Sequence, residues 1–436
     1  MKEWLKISIL LSVFGFFREN RPSEPYGIEF MTGPWKNLTL EGITREAMPI
    51  GTYSHLSQLI IIFLITDYFK YKPLIVLSGL SGVVIWAVLT WTKTLFGIQI
   101  FQLFYGTYLA TEVAYITYIY AKVDKKYYPK VTSHTRAALL IGKLVASISA
   151  QILIYFEWMN YMELNYITLA SQSIATIWAI FLPNVTKTIY FHREKSLSNE
   201  SKESEYGNSI NINNMASSTD NIIQSKNEEN PFKLIYTHFK NAYTNRYVIQ
   251  WSIWYAIVLC GYLQVTAYIQ TLWKEIEKDL PIIWNGIVEA IFTFSGAICA
   301  LSAGYLHAGR LSNTSSLLFL SVLSICNGCV ILFTTLQHNL YFSYGGYAIF
   351  GAIYAFSITV ASSEVAKHLE EDSFGLVFGV NTFIGLVIQT ILTVLVVDGS
   401  VILLDIFGQY FVYSGYFITV GVSFCLFILF ETCVAR

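Results

Sequence analysis

Long apolar runs separated by short polar breaks set the rhythm of this chain. Twelve stretches have roughly the 20 mostly apolar residues that an α-helix needs to cross a hydrocarbon core. They fall at about 5–31, 49–69, 74–93, 98–122, 134–156, 165–184, 246–272, 281–305, 314–336, 341–366, 373–397 and 406–431. Runs such as LIIIFLI (59–65) and ILTVLVV (391–397) are apolar on every face. That favours helices over the alternating ten-residue strands of a barrel. The pattern predicts an all-α membrane protein of twelve transmembrane helices.

The first run is the oddest. Trp4–Phe17 follows Met1-Lys2-Glu3 and would give only about 21 Å of helix. No small-residue cleavage site follows it, so an uncleaved first span is expected rather than a secretory signal. To cross, it must run on through Arg18, Glu19, Arg21, Pro22, Ser23, Glu24 and Pro25. The two prolines remove amide donors and bend the helix. A broken helix at depth is tolerated only where it faces protein or a water-filled cavity, and here it carries the Glu24 carboxylate. The alternative is a span that ends at Phe17 with an external loop after it.

Composition agrees with lipid as the solvent. Hydrophobic residues make up 54%, aromatics 16% and charged residues 13% of 436 positions, and mean hydropathy is +0.49. A net charge of -1 gives no field for nucleic acid. The six cysteines are scattered, so no disulfide framework is expected. Cys326-Asn-Gly-Cys329 lies mid-span without a second pair, and Cys433-Val-Ala-Arg436 ends in a residue unusual for a prenylation box. No H-E-x-x-H, G-x-S-x-G, P-loop or dinucleotide fingerprint appears. An enzyme, a metal site and a cofactor are therefore not expected.

Basic residues set the orientation. One side collects Lys70, Lys72, Lys125, Lys126, Lys130, Arg136, Arg310 and Lys367, together with the long polar stretch from about 187 to 246. The other side holds Lys36, Arg45, Lys93, Lys274 and Lys278. The first side is expected to be cytosolic, with both termini on it. The middle of the polar stretch, 195–230, is too poor in apolar residues to fold. The stretch divides the chain into a six-helix half (1–186), a largely disordered cytosolic loop (187–245) and a second six-helix half (246–436). That is the arrangement of the major facilitator superfamily, whose halves rock about a midplane site. In the loop after span two, Asp67 with Lys70 and Lys72 resembles that superfamily's cytosolic latch; ordinary positive-inside flanking is the alternative.

Ionisable groups at membrane depth are costly and mark sites. In span four, Gln102, Tyr105, Leu109 and Glu112 fall within a narrow arc of one face, an expected lining; a structural ion pair is the alternative for Glu112. Lys143, near the middle of span five, needs a partner, and Glu112 or Glu24 could serve. Arg136 can snorkel. In the second half, Asn285 and Glu289 lie four apart on one face of span eight, Glu364 is close to Lys367, and span eleven carries Asn381 and Gln389. Among the sequons, Asn37-Leu-Thr39 is placed outside and could carry a glycan, whereas Asn184, Asn199 and Asn313 are not.

Several segments carry a family likeness: FGFF (14–17), RPSEP (21–25), GPWKNLT (33–39), PIGTYSHL (49–56), TDYFKYKP (66–73), FYG (104–106), TEVAYITYIYA (111–121), VTSHTRAALL (131–140), WNGIVEA (284–290) and GLVFGVNTFIGLVIQT (375–390). Together they resemble the solute-carrier family of reduced folate and thiamine transporters, over nearly all spans and failing only in the central loop. The resemblance implies alternating-access transport of a water-soluble vitamin across the plasma membrane. Folate members place basic residues in spans four, ten and eleven, where this chain has Glu112, Gly351 and Gln389. Thiamine members resemble it in Glu24, Tyr105, Glu112 and Gln389. By that likeness Glu24 would hold the aminopyrimidine, with Tyr105 stacked on it and Trp86 nearby. Glu24 or Glu112 could also carry a coupling proton. The chain departs from the thiamine pattern at Gln102, Gly51 and Ala267, and Lys143 adds a positive charge. Thiamine is the expected substrate. Reduced folate or another organic anion bound by Lys143, with a counter-anion exchanged, is the runner-up. A membrane receptor that binds without transport would usually carry a folded outer or inner domain, and the outer loops here are short.

Overall fold

The computed structural model describes residues 2–185, 231–278, 283–307, 313–369 and 373–434, and these are overwhelmingly helical. In chain order the helices are α1 (Glu3–Glu19), α2 (Gly27–Thr32), α3 (Met48–Tyr68), α4 (Lys72–Trp91), α5 (Leu95–Ala110), α6 (Glu112–Lys122), α7 (Tyr128–Tyr155), α8 (Tyr161–Ile180), α9 (Pro231–Thr244), α10 (Arg246–Ile276), α11 (Asn285–His307), α12 (Asn313–Gln337), α13 (Leu340–Lys367), α14 (Phe374–Val396) and α15 (Ile406–Val434). A 3-10 turn at Glu24–Tyr26 precedes α2, and a wider π-type turn at Gly42–Ala47 leads into α3. Several starts follow from local chemistry. The Asn160 side chain accepts from the Glu163 amide while the Glu163 carboxylate accepts from the Asn160 amide, a reciprocal cap. Prolines open α3, α4 and α7, where a missing donor costs nothing.

Among the described residues, nine helices are long and apolar enough to cross a membrane. The other three predicted spans do not meet that measure. The first span is broken into α1 and α2, and the fourth is interrupted at Thr111 between α5 and α6. α8 carries Asn165, Thr168, Ser171, Gln172 and Thr176, all buried inside the protein. Large apolar side chains such as Ile61, Phe96 and Phe430 stay exposed around the bundle, as expected where the surroundings are lipid. The chain is a multi-pass membrane protein.

The buried apolar core falls into three clusters. Two are built almost wholly from residues 7–185, and the third lies entirely between Ala242 and Ile428. α7 packs on α1 on one side and on α11 on the other. Glycine allows both approaches. A Cβ on Gly142 would lie 2.5 Å from the Phe16 carbonyl oxygen, and one on Gly286 would lie 2.8 Å from that of Ser147. Gly286→Val is therefore expected to lower the melting temperature of the purified protein, at a cost of about 1–3 kcal/mol for overpacking. Gly345→Ala meets nothing within 4 Å and should be neutral or slightly stabilising. Equal melting temperatures for the two variants would refute a tight α7–α11 contact.

One segment departs from expectation. Residues 231–244, counted with the largely disordered loop at 187–245, form helix α9. Aromatic residues recurring every three or four positions supply an apolar face that a low overall apolar count conceals. Residues 186–230, including Asn199, and Arg310 lie outside the described residues.

Hydrogen bonds joining residues 2–185 to 231–434 gather toward the end of the bundle opposite the termini. Arg45 Nη2 donates to Leu404 O at 3.0 Å, Tyr53 OH to Asp398 Oδ2 at 3.1 Å, Tyr26 OH to Ile283 O at 3.0 Å and Gln151 Nε2 to the same oxygen at 2.9 Å. Lys274 pairs with Glu29 at 3.2 Å. Partial burial works against ionisation of the Asp398 carboxyl. The hydrogen bonds from Ser400 and Tyr53 outweigh it and hold the carboxyl below its ordinary range.

Candidate functional site

The site is built on the break in the first span. α1 ends at Glu19, about 24 Å along its axis from Glu3 at 1.5 Å per residue. That is more than half-way across a hydrocarbon core of about 30 Å. Backbone groups freed there must find partners in protein. They do so from both parts of the chain. Tyr108 OH and Gln172 Nε2 donate to Arg18 O at 2.8 and 2.9 Å, and Ser171 Oγ donates to Phe17 O at 2.9 Å. The Ser23 amide donates to Thr168 Oγ1 at 3.1 Å. From the second part, Gln270 Nε2 donates to Glu24 O at 2.9 Å and Asn285 Nδ2 to Pro25 O at 2.8 Å. The bend is therefore a specified structure, not a frayed end.

Along it runs a chain of ion pairs. Arg18 meets Glu112 at 3.5 Å and Glu19 at 2.9 Å; Arg21 meets Glu19 at 2.7 Å and Glu24 at 3.0 Å. The Arg18 guanidinium also lies 4.4 Å from the centre of the Tyr108 ring. A second group sits near it. Lys143 meets Glu289 at 3.3 Å, and Tyr347 OH donates to the other Glu289 oxygen at 3.0 Å. Lys143 also lies within electrostatic reach of Glu24. The inner members are buried, with side-chain exposures of 2% for Arg18 and 8% for Arg21. Glu24 at 34%, Glu112 at 39% and Lys143 at 32% are more open. Three cations thus face four carboxylates. With all groups ionised, one negative charge has no match, and the open carboxylates carry it.

Aromatic rings line the same space. Tyr105 OH lies 3.5 Å from Glu24 Oε1, and its ring stacks with Phe101 and Tyr108. On the opposite wall Tyr262 stacks on Tyr354 with centroids 3.7 Å apart and planes within 8°. Carboxylates beside aromatic faces favour a flat, cationic guest.

Of the residues singled out from the sequence, Glu24, Tyr105, Glu112, Lys143 and Glu289 come together here. Lys143 does so with a different partner from the two expected, because Glu289 of α11 crosses to α7 at the Gly286 contact. Gln102 does not join them. Gln102 is buried and packs into the space over Gly51 of α3, with its oxygen 2.5 Å from where a Cβ would stand. Trp86 is buried and donates through Nε1 to Ser23 Oγ at 2.8 Å, supporting the bend from behind. Asn285 is buried as a backbone cap that also accepts from Tyr344 OH at 3.0 Å. Asp67 accepts from Tyr71 OH at 2.6 Å in the α3–α4 turn; Lys70 and Lys72 share that turn, near the termini and away from the network. Asn37 is exposed on the loop after α2.

Sequence reasoning counted Arg18, Glu19 and Arg21 as the continuation of a span and left them out of the site. The signal was available, since four charges in RENRPSE at depth must neutralise one another. Tyr347 and Gln270 left no such signal, because their partners are more than 50 residues away.

The family model described as "Reduced folate carrier" matches residues 2–412. Human thiamine transporter 1 is 36% identical over 449 residues, covering 97% of this chain and 89% of the relative. Human thiamine transporter 2 is 35% identical with similar coverage. Folate transporter 1 of Caenorhabditis elegans is 34% identical, covering 98% of this chain and 92% of the relative. Among solved structures, the nucleoside transporter NupG shares the fold at a TM-score of 0.62 and 13% identity, over 98% of this chain and 99% of its own. A bacterial homologue of the lysosomal transporter Spinster, inward-facing and unoccupied, shares it at 0.56 and 10% identity, over 99% and 95%. With most of its length matching the family model and more than a third of its residues identical end to end to a carrier of that kind, the chain belongs to the reduced folate carrier family.

Proposed function

We propose that this chain carries thiamine across the plasma membrane by alternating access. It would do so as twelve spans in two six-helix halves, 1–186 and 246–436, with both termini and the connecting loop in the cytosol. The observation that carries this reading is the charge balance at the broken helix. An unmatched negative charge on water-accessible carboxylates, walled by Tyr105, suits a heteroaromatic cation. Arg18 and Arg21 are each held between two carboxylates, and Lys143 is held by Glu289, which leaves little free positive charge for a folate.

In this reading Glu24 and Tyr105 contact the substrate, Glu112 gates or carries a coupling proton, and Gln102 and Trp86 shape the wall. Lys143 and Glu289 tie the halves together, with Asn285 beside them. Asp67, Lys70 and Lys72 form a latch at the cytosolic mouth, and Asn37 carries a glycan outside. The cross-links among Arg45, Tyr53, Glu29 and their partners then close the external side. The test is uptake of labelled thiamine and labelled folate in the same cells at external pH 5.5 and 7.4. Thiamine accumulation above vector control, with no folate accumulation, is expected. Folate uptake alone would overturn the choice of substrate in favour of the organic-anion reading.

A further inference from the structure

Helix α9 has a chemistry that substrate transport does not use. Phe232, Tyr236, Phe239 and Tyr243 recur at steps of four, three and four and form one face. The first three are exposed. Lys233 and Lys240, seven apart, form the adjoining exposed stripe. From 231 through 245 there is no acidic residue. Aromatics beside lysines on a short helix are the pattern of a helix lying in a membrane interface. Tyr243 OH donates to Asn381 Oδ1 at 2.8 Å, which fixes the helix to α14.

Behind this face the wall is open. Phe239, Tyr243, Ile249, Ile253, Ile257 and Ile384 line a groove of about 400 Å³ between α9, α10 and α14. On the other side of α10 a second groove of about 380 Å³ runs against Phe424 and Phe427 of α15, sharing Ile249 and Ile253. Arg246, paired with Glu431, borders the second groove. The grooves therefore suit an occupant that is apolar along most of its length, and the exposed lysine stripe of α9 suits one that is negative at one end.

We infer that α9 and the grooves flanking α10 form a binding site for an anionic phospholipid of the leaflet nearest the termini. Its two acyl chains fill the grooves and its headgroup meets Lys233 and Lys240. This holds whether or not thiamine is the substrate, because it rests only on the chain's being embedded in a membrane.

The test is native mass spectrometry of the full chain released from nanodiscs holding equal amounts of phosphatidylserine and phosphatidylcholine with identical acyl chains. Retained phosphatidylserine should exceed phosphatidylcholine by about thirtyfold, since each lysine near an anionic surface supplies roughly a factor of five. Lys233→Glu/Lys240→Glu should abolish that preference and leave phosphatidylcholine retention unchanged. Ile253→Trp, which fills the groove, should reduce retention of both lipids. Equal retention of the two lipids by the wild-type chain would overturn the site, and that comparison stands even if a variant fails to fold. A preference that survives charge reversal would also overturn it.

Discussion

Glu24→Gln is expected to reduce thiamine uptake at least about tenfold, with the protein still reaching the membrane in normal amounts. Hydrogen bonds to charged groups are worth about 1.5–3 kcal/mol, which is roughly a 10- to 150-fold change in affinity. Glutamine keeps the shape of the side chain. It can still accept from Arg21, 3.0 Å away, and from Tyr105. What it removes is the unmatched charge, because three cations would then face three carboxylates. The loss should therefore appear in the KM for thiamine and not in abundance. Glu19→Gln is the informative contrast. Glu19 lies between Arg18 and Arg21 at 2.9 and 2.7 Å and is only 15% exposed. Removing its charge leaves two buried guanidiniums sharing too few acceptors, so this variant should lose folded protein first. Uptake by Glu24→Gln with an unchanged KM would remove Glu24 from the substrate site.

The contrast also shows how far the sequence could be read. Apolar run length anticipated the nine helices able to cross a membrane, because a lipid solvent leaves few alternatives to a helix of about 20 residues. The break after Glu19 was legible for the same reason: Trp4–Phe17 is too short, and Pro22 and Pro25 cannot sustain a helix. What run length could not give was the partner of each charge. Lys143 was paired in expectation with Glu112 or Glu24, yet it meets Glu289, 146 positions later, because α7 and α11 touch through Gly286. Gln102 kept its helical register but packs over Gly51 of α3, a contact that only the pairing of α3 with α5 creates. α9 was missed because composition averages over a face, whereas a stripe of four aromatics does not.

Charge balance makes a sharper prediction at the Lys143–Glu289 pair. Lys143→Met would leave Glu289 nearly buried, with Tyr347 as its remaining close partner, and would raise the network's unmatched charge to two. Breaking a buried pair costs about 3–5 kcal/mol. Lys143 is 32% exposed, so solvent screening reduces this to roughly 1–3 kcal/mol. The variant should show lower melting temperature and lower abundance. Glu289→Gln acts in the opposite sense. It frees an ammonium already within reach of Glu24, neutralises the network and lets an internal cation compete with the substrate. Its KM for thiamine should rise with little loss of fold. The double variant Lys143→Met/Glu289→Gln restores the single unmatched charge and removes the competitor, so its uptake should exceed that of either single variant. Non-additivity of this kind follows only if the two groups act on each other. If losses simply add, the two groups do not act on each other and the charge-balance account fails; if the lysine variant alone changes which of thiamine and folate is taken up, Lys143 touches the substrate directly. The site would then be built for an anion.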